Sequence, residues 1–141
     1  EYQDLPPMPL PAPVKAFQSL WMAHHETNFG HPIPSPVRGM TWMGMGLMQN
    51  PIDMMMIQEA LVSSKTNTVI EIGTLAGTSA LYYSHLLHIM AEVGIIPSHP
   101  YRVITVDIRH GLIHDRFPHI VYLTGNSVEE DTVNRVSSHI P

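Results

Sequence analysis

The chain has 141 residues, 44% of them hydrophobic, and a net charge of −5. That is enough for one domain with a buried core, and the acidic balance argues against a general nucleic-acid binder, because no basic stripe exists to neutralise phosphates. The absence of cysteine excludes disulfides and thiolate metal sites and points to a reducing, cytoplasmic setting.

No uncharged apolar run is long enough to span a bilayer; the longest, from Gly39 to Ile52, is interrupted by Gly44, Gly46, Gln49, Asn50 and Pro51. The N-terminus lacks the basic-then-apolar pattern of a secretory signal. The first residue is Glu1 rather than Met, as expected of a fragment or a processed product.

In chain order, Pro6, Pro7, Pro9, Pro11 and Pro13 predict an extended, polyproline-like lead-in over residues 1–14. A helix is predicted from about Val14 to Thr27, with Phe17, Leu20, Trp21 and His24 on one face. Pro32, Pro34 and Pro36 then forbid regular structure. These elements form an N-terminal extension over residues 1–38, and residues 39–141 form the main domain. Gly39 to Gln49 is rich in Met and Gly and carries Trp42. Asn50-Pro51-Ile52-Asp53 predicts a helix start, with an N-cap Asn, a proline at the first helical position and an acid in the first turn. That helix runs to about Ser63, with Ile52, Met55, Met56 and Ala60 expected inward.

Thr68 to Ile72 predicts a buried strand, and Thr78 to about Val93 a helix with Tyr82, Leu86, Ile89, Met90 and Val93 at helical spacing. Gly94 ends it, and Pro97 and Pro100 lie in the next loop. Tyr101 to Asp107 predicts a second strand ending in a carboxylate, and Ile120 to Leu123 a short third strand. Ser127-Val128-Glu129-Glu130 reads as a capping box opening a last helix. The order strand, helix, strand, strand, helix predicts an α/β fold, an open and mostly parallel sheet with flanking helices.

The chemistry concentrates in Glu71-Ile72-Gly73-Thr74-Leu75-Ala76-Gly77-Thr78-Ser79. In open α/β sheets, ligands bind at the carboxyl ends of the strands, and this turn lies at such an end. Gly73 can take a conformation closed to other residues, and Gly77 lets the main chain approach a ligand. The amides at the start of the following helix favour a negative group. Asp107, at the end of the next strand, can accept both hydroxyls of a ribose. A phosphate-binding P-loop needs a lysine that Gly77-Thr78-Ser79 lacks. The dinucleotide fingerprint needs glycine where Leu75 and Thr78 stand.

The surviving pattern, Glu-x-Gly-x-x-x-Gly-x-Ser followed by a strand ending in Asp, is similar to the first motif of Rossmann-like, class I S-adenosylmethionine-dependent methyltransferases. Trp42-Met43-Gly44, Asn50-Pro51-Ile52-Asp53, Gln58-Glu59 and the run from Ile70 to Leu81 further resemble the cephalosporin hydroxylase and rhamnosyl O-methyltransferase family. Gly125-Asn126-Ser127 resembles its Gly-Ser-Ser turn. The resemblance covers about Gly39 to Val136. It implies an S-adenosylmethionine site in which Glu71, Gly73 and Gly77 border the methionine part, with Glu71 placing the ammonium or the loop around it. Thr74 and Ser79 complete the same loop, and Asp107 holds the ribose.

The family often has a second glycine where Thr78 stands, which adds a side chain near the loop. Its members also carry about twice this sheet. The acidic ligands of a divalent metal such as Mg, and the acceptor pocket, are expected beyond the third strand. The resemblance therefore implies the cofactor half of an O-methyltransferase acting on a small hydroxylated, sugar or antibiotic-like acceptor, with catalytic residues outside this chain. A nicotinamide-dependent oxidoreductase and a non-catalytic remnant or partner subunit are the rival readings, and a homo-oligomer is compatible with any of them.

Ten histidines invite a metal hypothesis. His110 and His114, with Asp107 and Asp115, form the best cluster because they follow a strand end; His85 and His88 share a helix side without a carboxylate. Such spacings arise by chance in a His-rich chain, so solvent-facing loop histidines are expected and no metal site is assigned. Met40, Met43, Met45, Met48, Met54, Met55 and Met56 suit core filling and a mobile loop better than a lid over an apolar substrate.

Overall fold

The computed structural model describes residues 15–16, 41–47, 49–109 and 119–141. The chain divides into two units, Glu1–Gly39 and Met40–Pro141. In the first, Lys15 and Ala16 are described, both helical. The proline-rich lead-in, the rest of the helix predicted over Val14 to Thr27 and the Pro32 to Pro36 stretch lie outside the described residues.

The second unit opens with a hairpin that the sequence reading did not predict. Strands β1 (Thr41–Trp42) and β2 (Met45–Gly46) pair antiparallel, with Trp42 opposite Met45. Met43 and Gly44 make the turn at φ 51° and 82°. Positive φ at both central positions is what a type I′ hairpin turn requires. Met in place of Asn or Asp hides the usual signature.

Helix α1 (Pro51–Ser64) begins as predicted: the Asn50 side chain accepts from the Ile52 amide at 2.9 Å, Pro51 opens the first turn and Asp53 lies within it. Its predicted inward face is wrong. Met54 and Leu61 are buried, whereas Ile52, Met55 and Met56 are 52%, 60% and 66% exposed and Ala60 is also exposed. The helix meets its neighbours along a narrow seam, so apolar spacing alone misplaced the buried side.

The core is a parallel sheet of β3 (Thr68–Ile72), β4 (Arg102–Asp107) and β5 (Ile120–Thr124), in the order β3-β4-β5. Thr68 sits beside Arg102, Ile72 beside Val106 and Asp107 beside Thr124, so all three strands end at one edge of the domain. Helix α2 (Thr78–Glu92) connects β3 to β4, and α3 (Glu130–Ser138) follows β5. This is the predicted mostly parallel α/β sheet with flanking helices.

Side chains alternate between the faces of a sheet. On one face Val103 and Ile120 pack into a cluster with Leu81, Leu87 and Met90 of α2 and with Met54 and Leu61 of α1. On the other, the Arg102 guanidinium donates to the carbonyl of His139, just past α3, at 2.9 Å. Within α2, Tyr82 and Met90 are buried as expected, but Ile89 and Val93 are 54% and 64% exposed. The helix ends ahead of Gly94, which takes φ 76°.

Strand β3 is not the buried strand expected. Ile70 and Ile72, in register with the buried Ile104 and Val106, are 49% and 71% exposed. Among the described residues β3 pairs on one side only, and α3 covers the β5 side of that face. The predicted capping box at α3 does not form either. The helix starts at Glu130 with Glu129 as an N-cap lacking a side-chain bond, and Asn126 Oδ1 instead accepts from the Val128 amide at 3.3 Å.

Candidate functional site

The glycine turn projects from the carboxyl end of β3. Gly73 sits at φ 97°, Leu75 at φ 48° and Gly77 at φ 76°. The Gly73 amide stays tied to the sheet through Val106 C=O at 2.8 Å, and the Gly77 amide closes the turn on Thr74 C=O at 2.7 Å. A Cβ at Gly73 would meet open space, whereas one at Gly77 would meet the Tyr122 ring at 3.4 Å. Gly73 is thus the glycine whose backbone lies open to a ligand. Gly77 is buried, and its left-handed backbone favours glycine there.

Behind the turn lies a hydrogen-bonded brace. Glu71 Oε1 accepts from the Ser79 hydroxyl, and Oε2 accepts from Thr105 Oγ1 at 2.6 Å. Thr105 Oγ1 in turn meets Thr74 Oγ1 at 2.6 Å. Thr105 and Thr74 are buried. One carboxylate thereby fastens strand β3 to β4, to the turn and to the first turn of α2. Burial pushes the Glu71 carboxyl above the usual carboxylate range, its bonds to Ser79 and Thr105 pull it down, and the nearby Asp107 pushes it up again. Glu71 lines neither lobe of the crevice described next; of its two expected tasks, the geometry fits support of the loop.

Asp107 stands across from the turn. Its Oδ2 accepts from the Leu75 amide at 2.9 Å and its Oδ1 from the Arg109 amide at 3.0 Å. These backbone bonds, Leu75 first, hold its carboxyl below the ordinary carboxylate range. The Ile108 and Thr74 amides add to the same effect, and burial opposes it.

The two lobes meet at Gly73. The smaller, about 70 Å³, lies between the glycine loop (Gly73, Thr74, Leu75, Thr78) and the hairpin's Gly46 and Leu47. It faces the N-terminus of α2, where Gly77 caps without a side-chain bond and no acid occupies the first turn. The Thr78 hydroxyl in its wall is buried and has no hydrogen-bond partner among the described residues. The larger lobe, about 210 Å³, is lined by Gly73, Asp107, Ile108, Gly125 and Ser127. Ile108, Gly125 and Ser127 were not singled out as site residues. Position directly after two successive strand ends is the signal that finds them. A roomier apolar groove of about 580 Å³, lined by Trp42, Met54, Tyr82 and Ile89, shares Leu47 with the smaller lobe. Its polar side chains are few, with the Trp42 N–H and Tyr82 O–H already bonded to His85 and Met54, so the crevice at the strand ends is the better candidate despite its size.

Of the histidines weighed for metal, His85 accepts from Trp42 and His88 bonds to Tyr101. His110, His114 and Asp115 lie outside the described residues. Among the described residues no group of three His, Asp or Glu side chains could hold a metal ion. No helix among them is long and apolar enough to cross a membrane. Met54 is core, Met43 is exposed, and Met40 and Met48 lie outside the described residues.

A parallel α/β sheet with a glycine turn and an acid at successive strand ends is the architecture of a nucleotide-type cofactor domain. Within that class the family is specific: residues 36–141 match the family Rhamnosyl O-methyltransferase/CmcI, and the chain belongs to it. It is 36% identical over 70 residues to Rhamnosyl O-methyltransferase of Mycobacterium leprae (strain TN), covering 50% of this chain and 28% of that protein. It is 29% identical over 107 residues to the namesake of Mycobacterium tuberculosis (strain ATCC 25618 / H37Rv), covering 72% of this chain and 41% of that one. The chain therefore spans less than half the length of these relatives.

Among solved structures, an apo form of CmcI-N160 superposes with TM-score 0.59 at 17% identity, over 92% of this chain and 50% of that one. The Mg-SAM form of CmcI-D160 gives 0.57 at 18% identity, over 96% and 51%. These likenesses establish the fold.

Proposed function

We propose that residues 39–141 form the S-adenosylmethionine-binding domain of a cytoplasmic O-methyltransferase whose acceptor is the hydroxyl of a sugar or similar small molecule. The observation that carries this reading is the crevice itself: one lobe under the uncapped α2 N-terminus and one beside Asp107, joined at the open backbone of Gly73. In this reading the free α2 amides receive the cofactor's carboxylate, with Thr74, Thr78 and Ser79 around them. Asp107 accepts the ribose hydroxyls, and Ile108 with Gly125 and Ser127 encloses the base. Glu71 keeps the loop in place from behind. The family name and the Mg-SAM form of CmcI support both cofactor and reaction class.

When bound, the cofactor would supply an electrophilic methyl group. This chain's own part is alignment: a crevice braced at both strand ends holds a donor in one orientation and removes the entropy cost of finding it. Acceptor-side groups and metal ligands are not assembled among the described residues, and no step is assigned to a metal here. Self-association through β3, which pairs on one side only among the described residues and leaves Ile70 and Ile72 exposed, belongs to the same proposal.

Calorimetry with S-adenosylmethionine and S-adenosylhomocysteine, each in competition with NAD, tests it. Saturable binding of both sulfur compounds, undisturbed by NAD, is expected. Binding of NAD alone, or no heat at millimolar ligand in a folded sample, contradicts it.

A further inference from the structure

A side-chain hydrogen bond ties the hairpin that walls the smaller lobe to α2. The Trp42 indole N–H donates to His85 Nδ1 at 3.0 Å. Trp42 also stands edge-on to Tyr82, with ring centroids 4.9 Å apart at 88°, and Tyr82 donates to Met54 C=O at 3.0 Å. Trp42 pairs with Met45, and the next residues, Gly46 and Leu47, line the lobe against Thr74 and Leu75. The indole nitrogen can only donate, so Nδ1 must be the bare nitrogen of a neutral imidazole protonated at Nε2. An imidazolium presents a donor at both nitrogens, and the bond is then lost.

We propose that His85 is a positioning residue for the cofactor crevice: its neutral ring pins Trp42 and so sets Gly46 and Leu47 against the glycine loop, and its protonation releases them. The proposal rests on reading the crevice as the cofactor site. Burial, and secondly His88 on the same helix, hold His85 below its ordinary value, so the pinning form prevails at neutral pH. Described residues 41–47 of the hairpin carry no titratable side chain; besides His88, the titratable groups of the packed helices are Tyr82, Tyr83 and Glu92 on α2 and Asp53 and Glu59 on α1, and none of these five is among the causes of the His85 shift. Because the folded value lies below the unfolded one, the bond's contribution is complete above about pH 6.5 and is lost as pH falls from there towards the folded value.

The test follows the Trp42 indole N–H by NMR, assigned by its loss in Trp42→Phe, alongside S-adenosylhomocysteine affinity at pH 8 and pH 5.5. In the unaltered chain the indole resonance is expected to titrate, and Kd to rise about two- to tenfold on acidification, the range of one hydrogen bond. In His85→Asn, whose amide oxygen stands where Nδ1 does and accepts the bond without titrating, the resonance stays fixed and the ratio of the two Kd values falls towards one. His85→Phe, checked for folding by circular dichroism, binds more weakly at both pH values. An indole signal indifferent to pH and to His85, or the same Kd ratio in His85→Asn as in the unaltered chain, overturns the proposal. Absence of ligand binding at either pH would count against the cofactor reading instead, and the indole titration alone would then decide whether His85 pins the hairpin.

Discussion

The Leu75 amide donates to Asp107 Oδ2 at 2.9 Å, so the glycine turn after β3 and the carboxylate ending β4 are locked to each other. The bond spans the mouth of the parallel pair and fixes Leu75 at φ 48°, a left-handed conformation unusual for leucine. The strain sits where a ligand-shaping turn would need it.

Asp107→Asn is expected to weaken S-adenosylhomocysteine binding. A charge-assisted bond contributes ~1.5–3 kcal/mol, and the open position of Asp107 places the loss near the lower figure. Isothermal calorimetry reads it as roughly a tenfold rise in Kd. Since its backbone bonds lower the Asp107 value, the stabilisation from its charged form is present above the unfolded carboxylate range and is lost only as pH falls through the folded value. Binding that persists below pH 4 is the corresponding expectation; a loss centred well above pH 4 would count against Asp107 as the group responsible.

Thr105→Val keeps the shape but leaves Glu71 Oε2 and Thr74 Oγ1 each without a partner. The expected loss of stability is ~1–3 kcal/mol, measurable as a lowered urea midpoint at unchanged m. Glu71 adds a pH signature of the opposite sign to Asp107. Burial raises its folded value, so its titration favours the folded state fully below the unfolded value, and that contribution disappears as pH rises through the folded value. Glu71→Gln should remove that component from a stability profile across the weakly acidic range; an unchanged profile would show that the brace does not control Glu71.

Gly125→Ala places a methyl carbon 2.3 Å from Thr132 Oγ1 and 2.8 Å from Arg135 Nη2. Overpacking of this kind costs ~1–3 kcal/mol. Thr132→Ala added to it should recover part of the loss in a double-mutant cycle. Strict additivity would mean that the turn yields rather than clashing.

Much of this organisation is legible in the residues. Asn50-Pro51 with Asp53 announces α1 because the cap is local, and the three strands are short β-branched runs bounded by turns. Burial faces are less legible. Ile52, Met56 and Ile89 follow helical spacing but face out, because spacing reports which residues share a side and not which side meets a neighbour. The hairpin at Met43-Gly44 escapes notice because Met stands where Asn or Asp would signal the turn. In the candidate site, Gly73 and Asp107 stand out in the sequence. The turn of Glu71 towards Ser79 and Thr105, and the place of Ile108 and Ser127 beside Asp107, depend on side-chain direction and on which strand ends adjoin.

Ile70→Lys places a charge on the exposed side of β3, away from the crevice, and should leave the fold intact, since Ile70 is 49% exposed. If the exposed side of β3 drives self-association, the variant will sediment more slowly than the unaltered chain at high concentration. Equal sedimentation of the two would place any association elsewhere.

The most direct test of the crevice is an amide NMR map on addition of S-adenosylhomocysteine. Ligand spanning both lobes predicts simultaneous shifts at Gly73, Thr78 and Ser79 on one side and at Ile108, Gly125 and Ser127 on the other, saturating with a single Kd. Shifts confined to Trp42, Met54, Tyr82 and Ile89 of the apolar groove, or none at all, would contradict a cofactor held at the strand ends.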